Sequence, residues 1–598
     1  MNIKIFPLFF LLFLTSCVTT GNEWIPEVIS VNEATINKLK DNLTAGEYGR
    51  VIQDTDTLKR EFPELVGDEV LELEEQAFLL LKENYNKALD SGTWADALTY
   101  HKELSVVLAN LEAYSAFSPD SDSIVWTEGE ILRKQAETLI EDLPVPALII
   151  FQKSLAYDIP AEEELLRYGE LALVEQSREG LKQIVAIMRL KGMEAPASFT
   201  DYLAVEGTPL DFMKGTVTIW VNRGIKVESG MGYADRVIGS GFFIDKRGYL
   251  ITNHHVIESE VDPEYSGYSR LYIRLPGEQG DKIPAEVIGW DPVFDIALLK
   301  TVMEPEYIYS FKNVEEYVPG DKIYAIGSPG GLENTITSGI ISATGRRLLE
   351  VGDTIQVDVP INSGNSGGPL LNESGELIGV VFAGIEQFEG VNFAIPSEWV
   401  SGRIPSFYEG GRQEIPWIGA SLYEGNKGME VLYTYPASPS ERGGIKPGDM
   451  LLSVNGTVVK SLGEAQKVIM SLDGQRLAAF HWKRGEEEFT SLLNLDERPD
   501  MPLENSLEID SMERLVLPLF GMEIEPTGRK NYVIKKVYPG MSAEETGLSE
   551  NDPLTVYEWR YEEEYNVVLL QIRIKKRKAG FMESVVQLAA YVNLSNLI

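Results

Sequence analysis

The stretch GSGFFIDKRGYLITNHHVIE (239–258) decides the fold of the middle of the chain. Two short apolar runs in it flank the turn Asp245–Gly248, and this arrangement predicts a β-hairpin. A second hairpin is predicted in ESGELIGVVFAG (373–384). Between residues 208 and 405 no long helical period interrupts such short runs. The pattern therefore predicts an all-β barrel or sandwich.

A glycine-rich segment in the same region, INSGNSGGPLLN (361–372), surrounds Ser366. Glycine and asparagine tolerate turn conformations, so the segment alone fits either a tight turn or a nucleophile. A nucleophilic serine needs a neutral imidazole and a third group that orients it. The β region supplies His254 and His255, and WDPVFDIALLK (290–300) supplies two aspartates. The order histidine, aspartate, serine is that of chymotrypsin-type enzymes.

Five segments in this order resemble the HtrA/Deg family of trypsin-like serine proteases. They are the stretch 239–258, DPVFDIALLK (291–300), AIGSPGGLENTITSGIISATGR (325–346), INSGNSGGPLLNESGELIGVVFAG (361–384) and GVNFAIPSEWV (390–400). The resemblance implies a chymotrypsin-like double β-barrel protease domain over 208–405.

The family motifs assign roles to individual residues. The T-N-x-H-V motif implies that His255 is the general base, with His254 a structural neighbour. The D-I-A motif implies that Asp295 orients the base, and Asp291 is expected to be a turn residue. The G-N-S-G-G motif implies that Ser366 is the nucleophile. The oxyanion hole is expected in the segment Gly364, Asn365 and Ser366, with Ser363 structural.

Specificity and assembly follow from the same resemblance. Asn392, Phe393 and Ala394 lie where the family forms one wall of its primary substrate pocket. No acidic residue lies just before the Ser366 loop, where a trypsin-like specificity would need one, so we expect a preference for small or medium apolar residues. The family implies a homotrimer or a multiple of one. The loop RGIKVESGMGYADR (223–236) is short, which argues against a large cage. Whether the oxyanion loop rests in its active shape is left open.

The region 24–200 is predicted to be all-α. SGTWADALTYHKELSVVLANL (91–111) has apolar residues at helical spacing, and a helical pattern runs from Pro160 to about Gly192. Similar patterns open at Gly46 and Gly92, 46 residues apart, whereas tetratricopeptide (TPR) repeats have a period of about 34. A TPR-like domain and a generic helical spacer both fit.

The segment ERGGIKPGDMLLSVNGTVVKSLGEAQKVIMSL (441–472) resembles a PDZ domain of the HtrA type, which we place at 414–496. Residues 462–472 read as the helix beside a peptide groove. The resemblance puts the carboxylate-binding loop at Trp417, Ile418, Gly419 and Ala420, so the implied partners are unfolded or C-terminally exposed polypeptides. A module without a ligand is the alternative.

A degenerate PDZ-like domain is predicted at 515–598, after the polar linker DERPDMPLENSLEIDSMER (496–514). It lacks the Asn-Gly turn of the first module, and a terminal strand and helix are expected. The chain ends in NLSNLI (593–598), an apolar terminus of the kind that such PDZ domains bind. This raises the hypothesis that the chain binds its own C-terminus.

Composition narrows the partners and the location. The net charge of −39, from 53 basic and 92 acidic residues, argues against nucleic acid. Four histidines and one cysteine give no metal motif, and no cofactor is expected. MNIKIFPLFFLLFLTSC (1–17) resembles a bacterial lipoprotein signal, cut after residue 16 with Cys17 lipidated. An ordinary signal peptide is the alternative.

Together these features predict an exported, lipid-anchored serine endopeptidase in the cell envelope, facing the periplasm or the exterior. Its expected substrates are misfolded or damaged envelope proteins. The alternative is a lipid-anchored chaperone or adaptor with a weak or inactive protease domain.

Overall fold

The computed structural model describes most of the chain after residue 25. The described residues are 26–111, 124–205, 207–228, 230–275, 282–311, 318–328, 335–349, 351–360, 364–384, 390–472, 474–562, 565–576, 582–592 and 596–598. Within these ranges, no helix combines the length and the apolar composition needed to cross a bilayer. Signal residues 1–16, Cys17 and Ser363 lie outside the described residues.

The N-terminal region is helical, as predicted. Its helices are α1 (Pro26–Thr44), α2 (Tyr48–Glu61), α3 (Asp68–Ser91), α4 (Trp94–Leu111), α5 (Glu128–Leu139), α6 (Pro144–Ser154), α7 (Glu162–Val174), α8 (Arg178–Leu190) and α9 (Ala197–Ala204). The single helix predicted from Pro160 to Gly192 is wrong, because Gln176 adopts φ 55° and separates α7 from α8. A left-handed residue cannot continue a right-handed helix.

Helices α5 to α8 form two successive helical hairpins. α5 and α7 begin at residues 128 and 162, and α6 and α8 at 144 and 178, so both pairs are 34 residues apart. This is the spacing of TPR repeats. It differs from the 46 residues that separate the similar sequence patterns at Gly46 and Gly92. The stacked rings of Phe151 and Tyr168, with centroids 3.8 Å apart, join the two hairpins.

Two closed six-stranded barrels follow the short helix α10 (Pro209–Lys214) and confirm the predicted double barrel. The first contains β1 (Thr216–Glu228), β2 (Met231–Asp245), β3 (Tyr249–Thr252), helix α11 (His254–Val261), β4 (Arg270–Arg274), β5 (Ile283–Asp291) and β6 (Ile296–Thr301). It closes because β5 pairs with both β4 and β6. The predicted loop 223–236 is instead mostly strand, because β1 and β2 keep pairing as far as Glu228 and Met231.

The second barrel has the strand order β10-β11-β12-β9-β8-β7 and closes between β10 and β7. Its elements are β7 (Lys322–Gly327), β8 (Thr335–Arg346), β9 (Thr354–Val357), β10 (Pro369–Asn372), β11 (Leu377–Gly384) and β12 (Asn392–Pro396). Helices α12 (Ser397–Ser401) and α13 (Ile404–Glu409) and strand β13 (Gly411–Arg412) then lead back to the first barrel, where β13 pairs with β5.

The first PDZ module is a small antiparallel sheet with a helix beside it. It contains β14 (Pro416–Trp417), β15 (Ala420–Gly425), β16 (Gly428–Thr434), α14 (Pro439–Arg442), β17 (Met450–Val454), β18 (Thr457–Val458), α15 (Leu462–Met470), β19 (Leu477–Arg484), β20 (Glu487–Asn494) and β21 (Asp496–Glu497). Helix α15 begins at the predicted Leu462, after the N-cap Ser461. The peptide groove of such a module lies between β15 and α15.

The second PDZ module departs from two predictions. It contains α16 (Pro502–Ile509), α17 (Met512–Phe520), β22 (Met522–Gly528), β23 (Asn531–Val537), α18 (Ser542–Glu545), β24 (Pro553–Glu562), β25 (Val567–Lys576) and β26 (Met582–Tyr591). The predicted linker 496–514 is therefore largely helical, because α16 and α17 bury apolar side chains against this module. In place of the expected terminal helix the module has the hairpin of β25 and β26.

The helical region packs on the edge of the first PDZ sheet. Side chains of α2 bind backbone amides of the edge strand β20: Asp56 Oδ2 accepts from Leu492 N at 3.2 Å, and Gln53 Oε1 accepts from Asn494 N at 2.9 Å. On α4, Glu103 Oε1 accepts from Arg476 N at 2.9 Å, just before β19. The contact covers a sheet edge whose amides would otherwise need water.

Candidate active site

Ser366 lies in the cleft between the barrels, on the turn that joins β9 to β10. Gly364 and Gly367 on either side of Ser366 have φ of 109° and 84°, a region that favours glycine. A Cβ on Gly367 would meet Ser240 O and Thr252 Oγ1 of the first barrel. The glycines therefore allow the turn to lie directly against the barrel that carries the histidine.

His255 and Asp295 come from the first barrel and contact each other twice. His255 is the second residue of α11, and Asp295 lies in the turn between β5 and β6 with φ 53°. Asp295 Oδ2 lies 2.8 Å from His255 Nδ1, and Oδ1 accepts from the His255 backbone amide at 2.8 Å. Asn253 Nδ2 donates to Asp295 O at 2.8 Å and holds the turn in place. This arrangement leaves Nε2 as the proton acceptor.

The hydroxyl of Ser366 is hydrogen-bonded to a backbone carbonyl. Ser366 Oγ donates to Phe382 O at 3.3 Å, and within the described ranges no hydrogen bond joins it to His255. The side chain of His255 is 45% exposed, so solvent and substrate reach it. Nucleophile and base are often poorly aligned in a substrate-free enzyme. A rotation about the Ser366 side chain is needed before proton transfer.

Of the two amides expected to form the oxyanion hole, only that of Ser366 lies between two described residues. The Ser366 amide donates to no other described residue, so it is available to an oxyanion. The amide of Gly364 belongs to the peptide bond with Ser363, which is outside the described residues. Asn365 is buried, and its Nδ2 lies 3.5 Å from Pro360 O.

Sequence reasoning missed Ser240, a fully buried residue on β2 that holds the nucleophile loop. Ser240 Oγ donates to Gly364 O at 2.6 Å and accepts from Ser328 N at 3.0 Å. Its backbone amide donates to Ser366 O at 2.7 Å. Ser240 therefore contacts both residues that carry the expected oxyanion amides. The only signal in the sequence is its place in Gly239-Ser240-Gly241, where the neighbours lack side chains.

The two histidines have opposite pKa shifts. Burial works to lower the pKa of His255, but the hydrogen bond with Asp295 and its negative charge outweigh burial, and the pKa lies above the ordinary value. Burial lowers the pKa of His254, which does not share the carboxylate hydrogen bond. The two adjacent imidazoles therefore differ in proton affinity.

Asp291 is a buried structural residue, as expected for a turn. Its Oδ1 accepts from Val293 N at 2.9 Å and from Phe294 N at 3.0 Å, and its Oδ2 lies 3.1 Å from Arg403 Nε. Burial nevertheless raises its pKa above the ordinary range. The carboxylate that contacts His255 Nδ1 is that of Asp295, not that of Asp291.

The three residues predicted for the substrate pocket lie on β12 and are buried. Asn392 Nδ2 donates to Val359 O at 2.7 Å, close to the start of the nucleophile loop. The Ala394 side chain packs in the core of the second barrel. Phe393, on the opposite face of the strand, is 4% exposed. Of the three, Asn392 is the residue tied to the loop.

The predicted PDZ groove contains the end of the chain itself. The amides of Gly419 and Ala420 donate to the terminal Ile598 O at 2.9 and 3.1 Å. Trp417 and Ile418, the other two residues of the predicted carboxylate-binding loop, have buried side chains. The groove walls also touch the protease domain: Gly352 N donates to Gln466 Oε1 on α15 at 3.2 Å, and Arg347 binds Glu424 on β15 at 2.9 Å.

The equivalent loop of the second module is closed by its own helix. Gly521, between α17 and β22, corresponds to Gly419, which lies just before β15. The Gly521 carbonyl oxygen accepts a hydrogen bond from Tyr538 N, and the Gly419 carbonyl oxygen accepts one from Tyr435 N. The Gly521 amide donates to Leu517 O at 2.9 Å as the cap of α17. This amide is therefore unavailable to a peptide carboxylate.

Comparison with known proteins identifies three regions. The model of a trypsin-like peptidase domain matches residues 239–380, that of a PDZ domain matches 430–478, and that of the TP0546 family PDZ domain matches 503–592. A protein of Marinomonas sp. (strain MWYL1), named "Probable periplasmic serine endoprotease DegP-like", is 31% identical over 341 residues, which cover 53% of this chain and 70% of the relative. The chain belongs to the DegP-like serine endoproteases.

Other DegP-like relatives match smaller shares of their own length. The protein of the same name from Rhizobium meliloti (strain 1021) is 31% identical over 345 residues, 53% of this chain and 66% of the relative. That from Chlamydia trachomatis serovar D is 34% identical over 262 residues, 41% of this chain and 51% of the relative.

Solved structures to which the chain is similar include "HtrA-type protease AlgW with decapeptide", at 25% identity and a TM-score of 0.40. It is matched over 48% of this chain and 96% of its own. The serine endoprotease from Yersinia pestis matches at 28% identity and a TM-score of 0.39, over 49% of this chain and all of its own.

Proposed function

We propose that this DegP-like protein is an exported, lipid-anchored endopeptidase that hydrolyses misfolded or damaged envelope proteins through a Ser366–His255–Asp295 acyl-enzyme mechanism. The observation that carries the proposal is the double contact between Asp295 and His255 beside the glycine turn of Ser366. It gives the imidazole a fixed orientation and a raised proton affinity, which a general base for a serine requires.

The chemistry runs in two halves. After rotation away from Phe382 O, the Ser366 hydroxyl gives its proton to His255 Nε2 while its oxygen bonds to the scissile carbonyl carbon. Asp295 stays ionised and stabilises the imidazolium. The amides of Ser366 and Gly364 stabilise the oxyanion, and His255 then protonates the leaving amine. Water hydrolyses the acyl-enzyme by the reverse proton path and frees Ser366.

Substrate selection combines the pocket and the first PDZ module. A pocket without an acidic wall, bordered by the Asn392 strand, favours small or medium apolar residues. The first PDZ groove supplies two amides at the carboxylate loop and strand β15 for pairing with a C-terminal peptide. Peptide capture by the first module and not the second follows from the capped Gly521 amide.

Location and assembly extend the proposal. Lipidation of Cys17 would tether the protein to an envelope membrane, and mass spectrometry of the mature N-terminus in a membrane fraction tests it. The family resemblance also predicts a homotrimer or a multiple of one, which light scattering on the purified protein tests. The helical region is proposed as a TPR-like domain on the basis of its 34-residue spacing.

The decisive assay is casein cleavage by the purified chain and by Ser366→Ala. We expect wild type to cleave and Ser366→Ala to lose nearly all activity. His254→Ala is the matched control, because it removes the adjacent imidazole that lacks the Asp295 hydrogen bond, and it should keep most of the activity. Equal cleavage by wild type and Ser366→Ala would refute the proposal.

A further inference from the structure

The last three residues of the chain lie in the first PDZ groove as an added strand. Ile598 N donates to Ala420 O at 3.1 Å, Ala420 N donates back to Ile598 O at 3.1 Å, and Leu422 N donates to Asn596 O at 2.8 Å. Leu597 forms an antiparallel bridge with Ser421. The pattern is the one by which an extended peptide joins a sheet edge, with the register set by the terminal residue.

The two apolar side chains of the tail are both 1% exposed but enter different cores. Ile598 joins the core cluster that contains Ile418 of the carboxylate loop and Leu462 of α15. Leu597 joins the core of the second PDZ module. The terminal residue thus fills the position of a peptide ligand, while its neighbour is tied to the module from which the tail comes.

The tail reaches the groove over a short distance along the chain. Strand β26 ends at Tyr591, five positions before Asn596, so only a short segment links the second module to the tail. A short tether gives an effective concentration of about 1 mM. A tail of that concentration and an intrinsic Kd of about 10 μM would leave about 1% of the grooves open.

From these contacts we propose that the C-terminal residues Asn596–Ile598 are the resident ligand of the first PDZ groove. Peptides with a free carboxylate and a branched apolar last residue bind only by displacing them. The inference rests on the proposed function in that it concerns the same peptide groove. It does not depend on whether Ser366 is catalytic.

The test measures peptide affinity in full-length Ser366→Ala protein, which cannot cleave the probe. The probe is fluorescein-labelled NLSNLI with a free carboxylate, followed by fluorescence anisotropy. Its amidated form is the matched control for carboxylate capture. Removing Ile598 should tighten binding of the free-acid probe by at least about tenfold and up to about 100-fold. The amidated probe should bind neither protein.

Two further measurements guard against a folding artefact. A chain extended by Gly-Ser-Gly after Ile598 keeps every native side chain but moves the carboxylate, and it should bind the probe as tightly as the truncated chain. In the Ser366→Ala chain that keeps its native tail, carboxypeptidase Y should remove Ile598 slowly, and excess unlabelled NLSNLI should accelerate removal.

Three outcomes would overturn the proposal. The first is equal probe affinity in chains with and without Ile598. The second is equal binding of the free-acid and amidated probes. The third is a tail that exchanges between molecules, seen as an oligomer that dissociates when Ile598 is removed, because the occupant would then be a second copy. Loss of casein cleavage in wild type would refute the proposed function and leave these results unchanged.

Discussion

Replacing Ser240 by alanine tests whether the first barrel holds the nucleophile loop in shape. The change removes one buried oxygen that donates to Gly364 O at 2.6 Å and accepts from Ser328 N at 3.0 Å. Ser328 N also lies 3.4 Å from Gly364 O, so these two groups can partly satisfy each other after the change. About one buried hydrogen bond is left unmade, which costs about 1–3 kcal/mol.

The effect on catalysis depends on how much of this free energy is lost from transition-state stabilisation. If all of it is lost from the loop geometry that binds the oxyanion, kcat/KM decreases by about 5- to 150-fold. The loss should appear in kcat, because the Ser240 side chain contacts the loop and not a substrate. Steady-state cleavage of a fluorogenic peptide separates the two constants, and chemical denaturation measures stability in parallel.

The matched control is Ser491→Ala in the first PDZ module. Ser491 is also fully buried, and its Oγ accepts from Trp482 Nε1 at 2.9 Å, far from the nucleophile loop. It should lose similar stability with unchanged kcat. Equal kcat values for Ser240→Ala and wild type, at temperatures where both are folded, would refute the positioning role of Ser240.

Three further predictions concern protonation and backbone space. In the pH profile of kcat/KM, the acid limb should lie above pH 6.5, because Asp295 raises the pKa of the base His255 that must be neutral; Asp295→Asn should lower this midpoint and reduce kcat by about 10⁴-fold. Burial raises the pKa of Glu103 to about 7, so folding is opposed increasingly between about pH 4.5 and 7. Glu103→Gln should therefore match wild type near pH 4.5 and be more stable by about 3 kcal/mol at pH 8 in denaturant titrations, whereas equal stability at both pH values would contradict this. Gly367→Ala should abolish casein cleavage, because the added Cβ would meet Ser240 O. The control Gly345→Ala has open space around its Cβ and should cost only about 1 kcal/mol of unfolding free energy. Normal cleavage by Gly367→Ala would contradict the close approach of the loop.

The sequence pattern predicts an all-β barrel or sandwich because its signals are local, and the family resemblance narrows this to a double barrel. Turn residues lie directly beside the strands, and each of His255, Asp295 and Ser366 stands in a short motif of its own. Ser240 gives no such signal. Its partner Gly364 is 124 positions away, and a hydroxyl between two glycines looks like part of a turn until the barrels are packed together.

The wrong prediction of a linker before the second PDZ module has a physical cause. The segment 496–514 is polar enough to read as a linker, but α17 continues beyond it with Leu515, Val516, Leu519 and Phe520 on one face. That face is stabilised by burial against the β-sheet, which the local composition does not reveal. For the terminal residues, the sequence suggests the right kind of contact but not its place. An apolar C-terminus suggests a PDZ ligand, but only the fold shows that Ile598 lies at the carboxylate loop of the same chain.

The most direct test of the account is the site at which a fluorophosphonate reacts. The reagent traps a serine only where a base activates it and an oxyanion hole stabilises the adduct. Peptide mapping of the labelled wild-type protein should find the adduct on Ser366, and His255→Ala should form it at least about 10³-fold more slowly. An adduct on another serine, or equal labelling rates in wild type and His255→Ala, would contradict the triad.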